Sequence, residues 1–143
     1  MSDSQRKTVP NQDEFRFWTE EKLRNIDTDQ FKHVNNAVIA SFLEAGRMEI
    51  VGSPETKPLL GTATLAVVRL EVDFHHELFY PGTVKIGSRV TGVGRSSFSV
   101  RQAVFDPERC VASAAATCVL FDASARKSVP VTADLRDYLL RQH

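Results

Sequence analysis

Cysteine is scarce in this chain: Cys110 and Cys118 are the only two among 143 residues, too few for a disulfide scaffold. If both lie on one strand, as the pattern below places them, their separation is about 26 Å at ~3.3 Å per residue, far beyond the ~7 Å Cα reach of a bridge. Free thiols are expected, and with them a reducing cytoplasm. Charge of one sign is also missing, since 18 Lys+Arg balance 18 Asp+Glu. No global basic field exists to hold nucleic acid or an anionic membrane, and neutrality gives little protection against self-association. No apolar run approaches the ~18 residues of a membrane span, and the polar stretch from Met1 to Glu14 lacks the apolar core of a signal peptide. Gly and Pro number only 7 and 6, which excludes collagen-like and low-complexity chains. A Gly-x-Ser-x-Gly elbow is absent, which disfavours a serine esterase of the α/β-hydrolase kind, and no Gly-rich loop could cradle phosphates.

What is present reads as one domain with one core. Residues 1–13 carry no apolar period and are expected to form a flexible tail, with the domain spanning 14–143. Phe15, Phe17 and Trp18 open a run through Leu23 that reads as a strand. Asn25 to Asn36 is a polar loop. From Ala37 to Val51 apolar residues recur at three- and four-residue spacing, giving a helix of about 22 Å at 1.5 Å per residue. Its apolar arc is broad, so it is expected to be largely enclosed. Asn35 or Asn36 supplies the N-cap, and Gly52 with Pro54 the stop.

A loop over 52–61 follows, and the period then changes to two. Ala66, Val68, Leu70, Val72 and Phe74 form an apolar face against Val67, Arg69, Glu71, Asp73 and His75. Three further strands follow: one with Val84, Ile86 and Val90, one with Phe98, Val100 and Val104, and one from Cys110 to Phe121. The small side chains Ala112, Ala114, Ala116 and Cys118 are expected beneath the helix. Thr132 caps a short final helix carrying Leu135, Leu139 and Leu140. Short connections favour antiparallel neighbours, so the fold class is α+β, with a five-stranded antiparallel sheet wrapped around one long central helix.

Some polar residues have readings of their own. Adjacent strand residues point to opposite faces, so His75 and His76 are not expected to share an ion, and no metal site is expected. Lys85, Arg89 and Arg101 share strand periodicity and read as a solvated face, with a phosphate patch as the alternative. Glu44 and Arg47 stand three apart on the helix and can pair along it.

The combination Asp27-Thr28-Asp29, His33-Val34-Asn35-Asn36 and Phe42-Leu43-Glu44-Ala45-Gly46-Arg47 resembles the hotdog-fold acyl-CoA thioesterases of the 4-hydroxybenzoyl-CoA thioesterase type. Their pattern is D-x-D-x-x-G-H-V-N-N followed by a helix with F-x-E-x-x-R. The resemblance extends through Val72-Asp73-Phe74, Gly94-Arg95-Ser96-Ser97-Phe98 and Ser128-Val129-Pro130, covering about Phe15 to Leu140. Two positions depart from it: Lys32 stands where the family has Gly, and Ile39 where Tyr is common.

The resemblance implies hydrolysis of an acyl- or aroyl-CoA thioester with no metal or redox cofactor, coenzyme A being part of the substrate. It assigns Asp29 as nucleophile or general base; the bare sequence equally allows Asp29 to serve only as a loop acceptor for backbone N–H groups. Val34, Asn35 and Asn36 form the helix start, where unpaired N–H groups could stabilise an oxyanion. His33 is expected to hydrogen-bond the thioester or position Asp29, and Glu44 is a reserve catalyst. Phe31, Arg95, Ser96 and Ser97 are expected to contact substrate, while Phe31, Phe42 and Trp18 could line a pocket or fill the core. Asp27 reads as a turn residue. A homodimer or dimer of dimers is implied, with sheets joined edge to edge and the pocket between subunits. Two alternatives remain open: a ligand-binding module without turnover, kept alive by Lys32, and a hotdog hydratase, whose longer motif is missing.

Overall fold

The computed structural model describes residues 9–141, so most of the expected tail lies outside the described residues. Gln12–Glu14 form a single 3-10 turn, closed by a bond from the Asn11 N–H to Glu14 Oε2 at 2.6 Å. The first strand, β1, is Phe17–Lys22, two residues later than the apolar run begins. Phe15 instead lays its ring over Gly87, where an added Cβ would lie 2.7 Å from that ring. With Trp18 and Phe105 it makes an aromatic cluster whose centroids are 5.8–6.0 Å apart.

The long helix α1 spans Asn36–Gly52, and the Asn35 side chain accepts the Ala37 N–H at 2.9 Å. Gly52 belongs to the helix, which stops at Ser53 ahead of Pro54. Ile39, Phe42, Leu43, Gly46, Arg47, Ile50 and Val51 form its buried stripe. The enclosure is narrower than expected: Ala37, Ser41, Glu44 and Met48 line an open face because the sheet curls around only one side. Inside the expected loop lies a one-turn helix, α2, Lys57–Leu60.

The remaining strands are β2 (Thr64–Phe74), β3 (Thr83–Val93), β4 (Ser97–Phe105), β5 (Cys110–Asp122) and the two-residue β6 (Lys127–Ser128), followed by helix α3, Ala133–Leu140. Thr132 caps α3 by accepting the Leu135 N–H at 3.2 Å. Every pairing is antiparallel, in the order β1-β3-β4-β5-β2, and β6 folds back on the end of β5. The expected five-stranded sheet around one long helix is therefore present, with β6 as an additional short strand.

The strand with the cleanest alternation in sequence holds a correction. The β2–β5 register slips between Val67 and Arg69, so one extra residue enters β2 there. Leu65 faces inward before the slip and Leu70 and Val72 after it, while Ala66 and Val68 turn outward, Val68 being 63% exposed. A period-two reading assumes an unbroken ladder and cannot register the extra residue.

Ala112, Ala114, Ala116 and Cys118 line the core below α1, yet the closest approach of helix to sheet is at Gly46 over β3 and β4. Here Gln102, fully buried, donates to Leu43 O at 2.8 Å and to Ser88 Oγ at 2.9 Å. Arg47 does not pair with Glu44 along the helix. It turns inward, 5% exposed, and donates from Nη1 to Gln102 Oε1 at 3.1 Å. Burial pulls its guanidinium below its ordinary value. On the opposite, outer face of the sheet, Arg89 and Arg101 lie directly across from one another, with Glu14 Oε1 3.7 Å from Arg101 Nε.

A Cβ at Gly46 would lie 2.6 Å from Ile86 Cγ2, 2.8 Å from Gln102 Nε2 and 3.0 Å from Ser88 Oγ, all buried groups with no room to retreat. Gly46→Ala is therefore expected to destabilise the fold by about 1–3 kcal/mol despite alanine's better helix propensity. Urea unfolding monitored by circular dichroism checks it; equal or greater stability would refute the close contact.

Candidate active site

The loop between β1 and α1 is organised by a buried carboxylate. Asp27, 3% exposed, accepts from Arg24 three times: the backbone N–H at 2.9 Å, Nε at 3.4 Å and Nη2 at 2.9 Å. Hydrogen bonding to Arg24 holds the Asp27 carboxyl below the usual carboxylate range, against the opposing effect of burial. Its backbone O accepts the Asn35 N–H at 3.0 Å, tying the loop to the start of α1. The turn role expected for Asp27 is thus a structural one.

Asp29 sits in the exposed part of this loop. Its Oδ1 accepts the Phe31 N–H at 2.8 Å and the His33 N–H at 3.1 Å, closing an Asx turn. The loop-acceptor reading of Asp29 therefore describes one of its oxygens. The other, Oδ2, has no bond to the described chain. Lys32, in place of the family's Gly, adopts φ 68°, the left-handed conformation a glycine takes freely. Its Nζ donates to Asn25 Oδ1 at 2.7 Å and lies 5.9 Å from the Tyr80 ring centroid, beside the cis Tyr80–Pro81 bond. Lys32 thus holds the left-handed backbone and turns its charge to Asn25 and Tyr80.

The helix start offers fewer donors than expected. The Val34 N–H goes to Leu78 O at 2.8 Å and the Asn35 N–H to Asp27 O, so neither is available to a ligand. The Ala37 N–H is taken by the Asn35 side chain, leaving the Asn36 N–H as the free donor of this turn. Asp29, His33 and Asn36 all line one open cleft of about 500 Å³, whose far wall is Phe74 to Leu78, the end of β2 and its connection to β3. His33 holds a 3.3 Å contact from Nδ1 to Glu77 Oε1, and its ring packs edge-on against Phe79 at 4.7 Å. His75 makes a 2.8 Å bond from Nε2 to the buried Ser113 Oγ.

This wall was not legible in the sequence. It reaches Asp29 through a bridge between His33 and Phe79, a pairing that leaves no local signature. The expectation for His75 and His76 assumed that both lie within a strand, and that premise does not hold. β2 ends at Phe74, both N–H groups converge on Val111 O, and both residues line the cleft. Among the described residues no group of three or more His, Cys, Asp or Glu is placed to hold a metal ion.

Other expected site residues lie elsewhere. Arg95, Ser96 and Ser97 form the β3–β4 turn, where their carbonyls accept from Val131, Leu120 and Gly94. Ten residues of β3 separate that turn from the cleft end of the sheet, about 30 Å at ~3.3 Å per residue, so one chain does not join them to Asp29. Glu44 is exposed on the open face of α1, eight residues or about 12 Å beyond Asn36 at 1.5 Å per residue, and does not line the cleft. Phe42 fills the core and Trp18 packs on the outer aromatic cluster, whereas Phe31 is 67% exposed, 6.3 Å from the His33 ring. Cys110 and Cys118 are free, and burial pushes both thiols up to about 11. Among the described residues no helix is long and apolar enough to cross a membrane.

The profile of the thioesterase-like superfamily matches residues 24–139. The chain is 26% identical over 125 residues to the long-chain acyl-CoA thioesterase FadM of Escherichia coli K12, covering 85% of this chain and 95% of that protein. Among solved structures it is similar to a thioesterase of Thermus thermophilus complexed with coenzyme A and Zn (26% identity, TM-score 0.75, 88% and 92% of the two chains). It also shares the fold of YbaW, a probable thioesterase of Escherichia coli (23% identity, TM-score 0.75, 89% and 98%). The match is to the superfamily as a whole and does not single out the 4-hydroxybenzoyl-CoA type.

Two outcomes are expected from the loop. Asp27→Asn should cost about 1–3 kcal/mol near neutral pH, the range for hydrogen bonds to a charged group. Because the folded-state value of Asp27 is depressed, its contribution is complete above the unfolded value of ~3.9 and is lost as pH falls through the folded value. Urea midpoints of the two proteins should converge with acidification; a gap independent of pH would contradict the ion pair. At position 32, Gly should be more stable than Ala by about 1 kcal/mol, the reverse of their order in regular structure, since only Ala retains the left-handed strain. Thermal melts of Lys32→Gly and Lys32→Ala give the comparison directly.

Proposed function

The chain belongs to the thioesterase-like superfamily, and from that premise we propose that it hydrolyses the thioester of an acyl-CoA, with Asp29 as the reactive carboxylate. One observation supports this reading: Asp29, whose Oδ2 has no partner among the described residues, lines the same cleft as Asn36, whose N–H at the opening of α1 has none there either. The two supply what thioester hydrolysis requires, a base or nucleophile and a donor for the carbonyl oxygen as it gains charge. The helix end adds a partial positive charge at that donor.

In the general-base route Asp29 Oδ2 takes a proton from water as the water oxygen bonds to the carbonyl carbon. The carbonyl oxygen becomes an oxyanion held by the Asn36 N–H. Collapse breaks the C–S bond, and the departing thiolate recovers the proton, giving a carboxylic acid and free coenzyme A. In the nucleophilic route Oδ2 attacks first, expelling thiolate and forming a mixed anhydride that water then cleaves. His33, beside Asp29, is read as an acceptor that helps orient the attacking water in either route. Lys32, which kept a binding-only reading open, adopts the left-handed conformation that a glycine takes freely, and this supports the catalytic reading over that one.

β2 is an edge strand of the sheet, and its Val67, Val68 and Phe74 are 39%, 63% and 48% exposed, Phe74 also lining the cleft. We read this edge as the seam of a homodimer, with the partner closing the cleft and bringing its own Arg95, Ser96 and Ser97 toward the coenzyme. Two unpaired thiols fit an enzyme acting in the cytoplasm.

Release of free thiol from a panel of acyl- and aroyl-CoA esters tests the proposal. Asp29→Ala and Asp29→Asn should each lose at least ~100-fold in kcat, the range for removal of a general base or nucleophile. Rapid acid quench of a single turnover separates the routes, because only the anhydride route passes through an acyl group bonded to Asp29. No thiol release from any ester, or unchanged kcat in Asp29→Ala, would overturn the assignment. Sedimentation equilibrium separates a monomer from a dimer or a dimer of dimers.

A further inference from the structure

The carbonyl group of a bound thioester must come within reach of Asp29 and of the Asn36 N–H, and both residues line one cleft. Most of the remaining lining is polar or titratable; the apolar exceptions are Val34, Ile39, Leu78 and Phe74. Phe74 is 48% exposed, whereas Val34, Ile39 and Leu78 are 6%, 2% and 5% exposed and belong to one core cluster with Phe42 and Leu43. Side chains that line a cleft yet show so little of themselves form a flush floor, and the dense packing behind it leaves no slack. Ile39 is the member of this floor whose place relative to the oxyanion donor is fixed by helix geometry. It stands three residues after Asn36 in the first turn of α1, its N–H donating to Asn35 O at 3.3 Å. Residues three apart on a helix have Cβ atoms about 5–6 Å apart, and a helical side chain leans toward the N-terminus, over the turn before its own Cα. The Ile39 side chain therefore covers the turn that presents the Asn36 N–H.

We propose that Ile39 is a specificity-determining residue: it closes the cleft beside the oxyanion donor, so that the carbon next to the thioester carbonyl must be an unbranched methylene. The substrate class is then straight-chain aliphatic acyl-CoA. The inference rests on the hydrolase reading above and deepens it. With the carbonyl oxygen on the Asn36 N–H, the first acyl carbon is the next atom to meet the turn that Ile39 covers. A methylene there continues as a single chain, which can run along the floor. A branched carbon, or the ring carbon of an aroyl group, carries two further carbons, and the second has no place but the floor itself. Phe42 and Leu43, buried in the same cluster, keep Ile39 from moving aside.

The ratio of kcat/KM for hexanoyl-CoA over 2-methylhexanoyl-CoA reads the floor, because partial unfolding of a variant lowers both values alike. One carbon too many in an apolar site is worth about ten- to two-hundred-fold, and the parent should show a ratio in that range, with benzoyl-CoA disfavoured as well. Ile39→Ala should reduce the ratio at least about five-fold, and Ile39→Val by less, in the order of the carbons removed. Ile50→Val is the control. Ile50 is buried on the same helix, about three turns beyond Ile39 and outside the cleft, so its truncation should cost similar stability and leave the ratio unchanged. A parent that takes both esters equally, an Ile39→Ala ratio equal to the parent's, or an Ile50→Val shift as large as that of Ile39→Val overturns the proposal while the hydrolase reading stands. If no ester releases thiol from the parent, the hydrolase reading itself fails, and the intact esters serve as ligands for calorimetry. Tighter binding of hexanoyl-CoA in the parent, with the preference reduced in Ile39→Ala, then upholds the floor, and any other result overturns it.

Discussion

The site depends on one buried carboxylate, paired with an exposed arginine, and on the backbone bond beside it. Asp27 is held by Arg24 through three hydrogen bonds, and its carbonyl fixes the Asn35 N–H at the helix start. The Val34 N–H, bound to Leu78 O, fixes the same point from the side of β3. With both neighbours committed, Asn36 is left as the first residue of α1 whose N–H has nothing to bind, and Asp29 is suspended two residues beyond Asp27. Had Asp27 been free to move, the donor and the carboxylate would share a loop but not a geometry. Preorganisation of this kind, established before any substrate arrives, is what makes a single donor effective against developing charge.

Beneath the helix the packing is polar where a close contact was needed. Gly46 brings the α1 backbone down onto Ile86, Ser88 and Gln102, and the Gln102 amide binds both the Leu43 carbonyl and Ser88. Arg47 joins the same group instead of reaching Glu44. Polar groups this deep cost stability when left unpaired and confer register when paired. They specify how far along the sheet α1 sits, and therefore where its first turn meets the cleft.

The sequence carried the helix, its Asn35 cap, the antiparallel strands and the Asp29–His33 loop, because each is written in local spacing; the placement of β2 beside β5 and not β3 was not. Three further things were not written there. The extra residue near Val68 leaves hydrophobicity unchanged and alters only the register, so alternation pointed Ala66 and Val68 the wrong way. The far wall of the cleft, His75 to Leu78, is brought in by pairing between segments more than forty residues apart. The use of the Val34 and Asn35 N–H groups as structural donors depends on Leu78 and Asp27 reaching them, which spacing cannot reveal. Arg95, Ser96 and Ser97 were legible as a turn but not as remote, since motif resemblance gives no distance within one chain.

The slip in β2 has a consequence for colloidal behaviour. A chain with no net charge has no electrostatic barrier to clumping, and an uninterrupted eleven-residue border strand would be an open template for endless stacking. The bulge interrupts that border and leaves its longest regular stretch from Arg69 to Phe74. Geometry here does part of the work that like-charge repulsion does in other proteins: it shortens the run of border with which a foreign strand can pair.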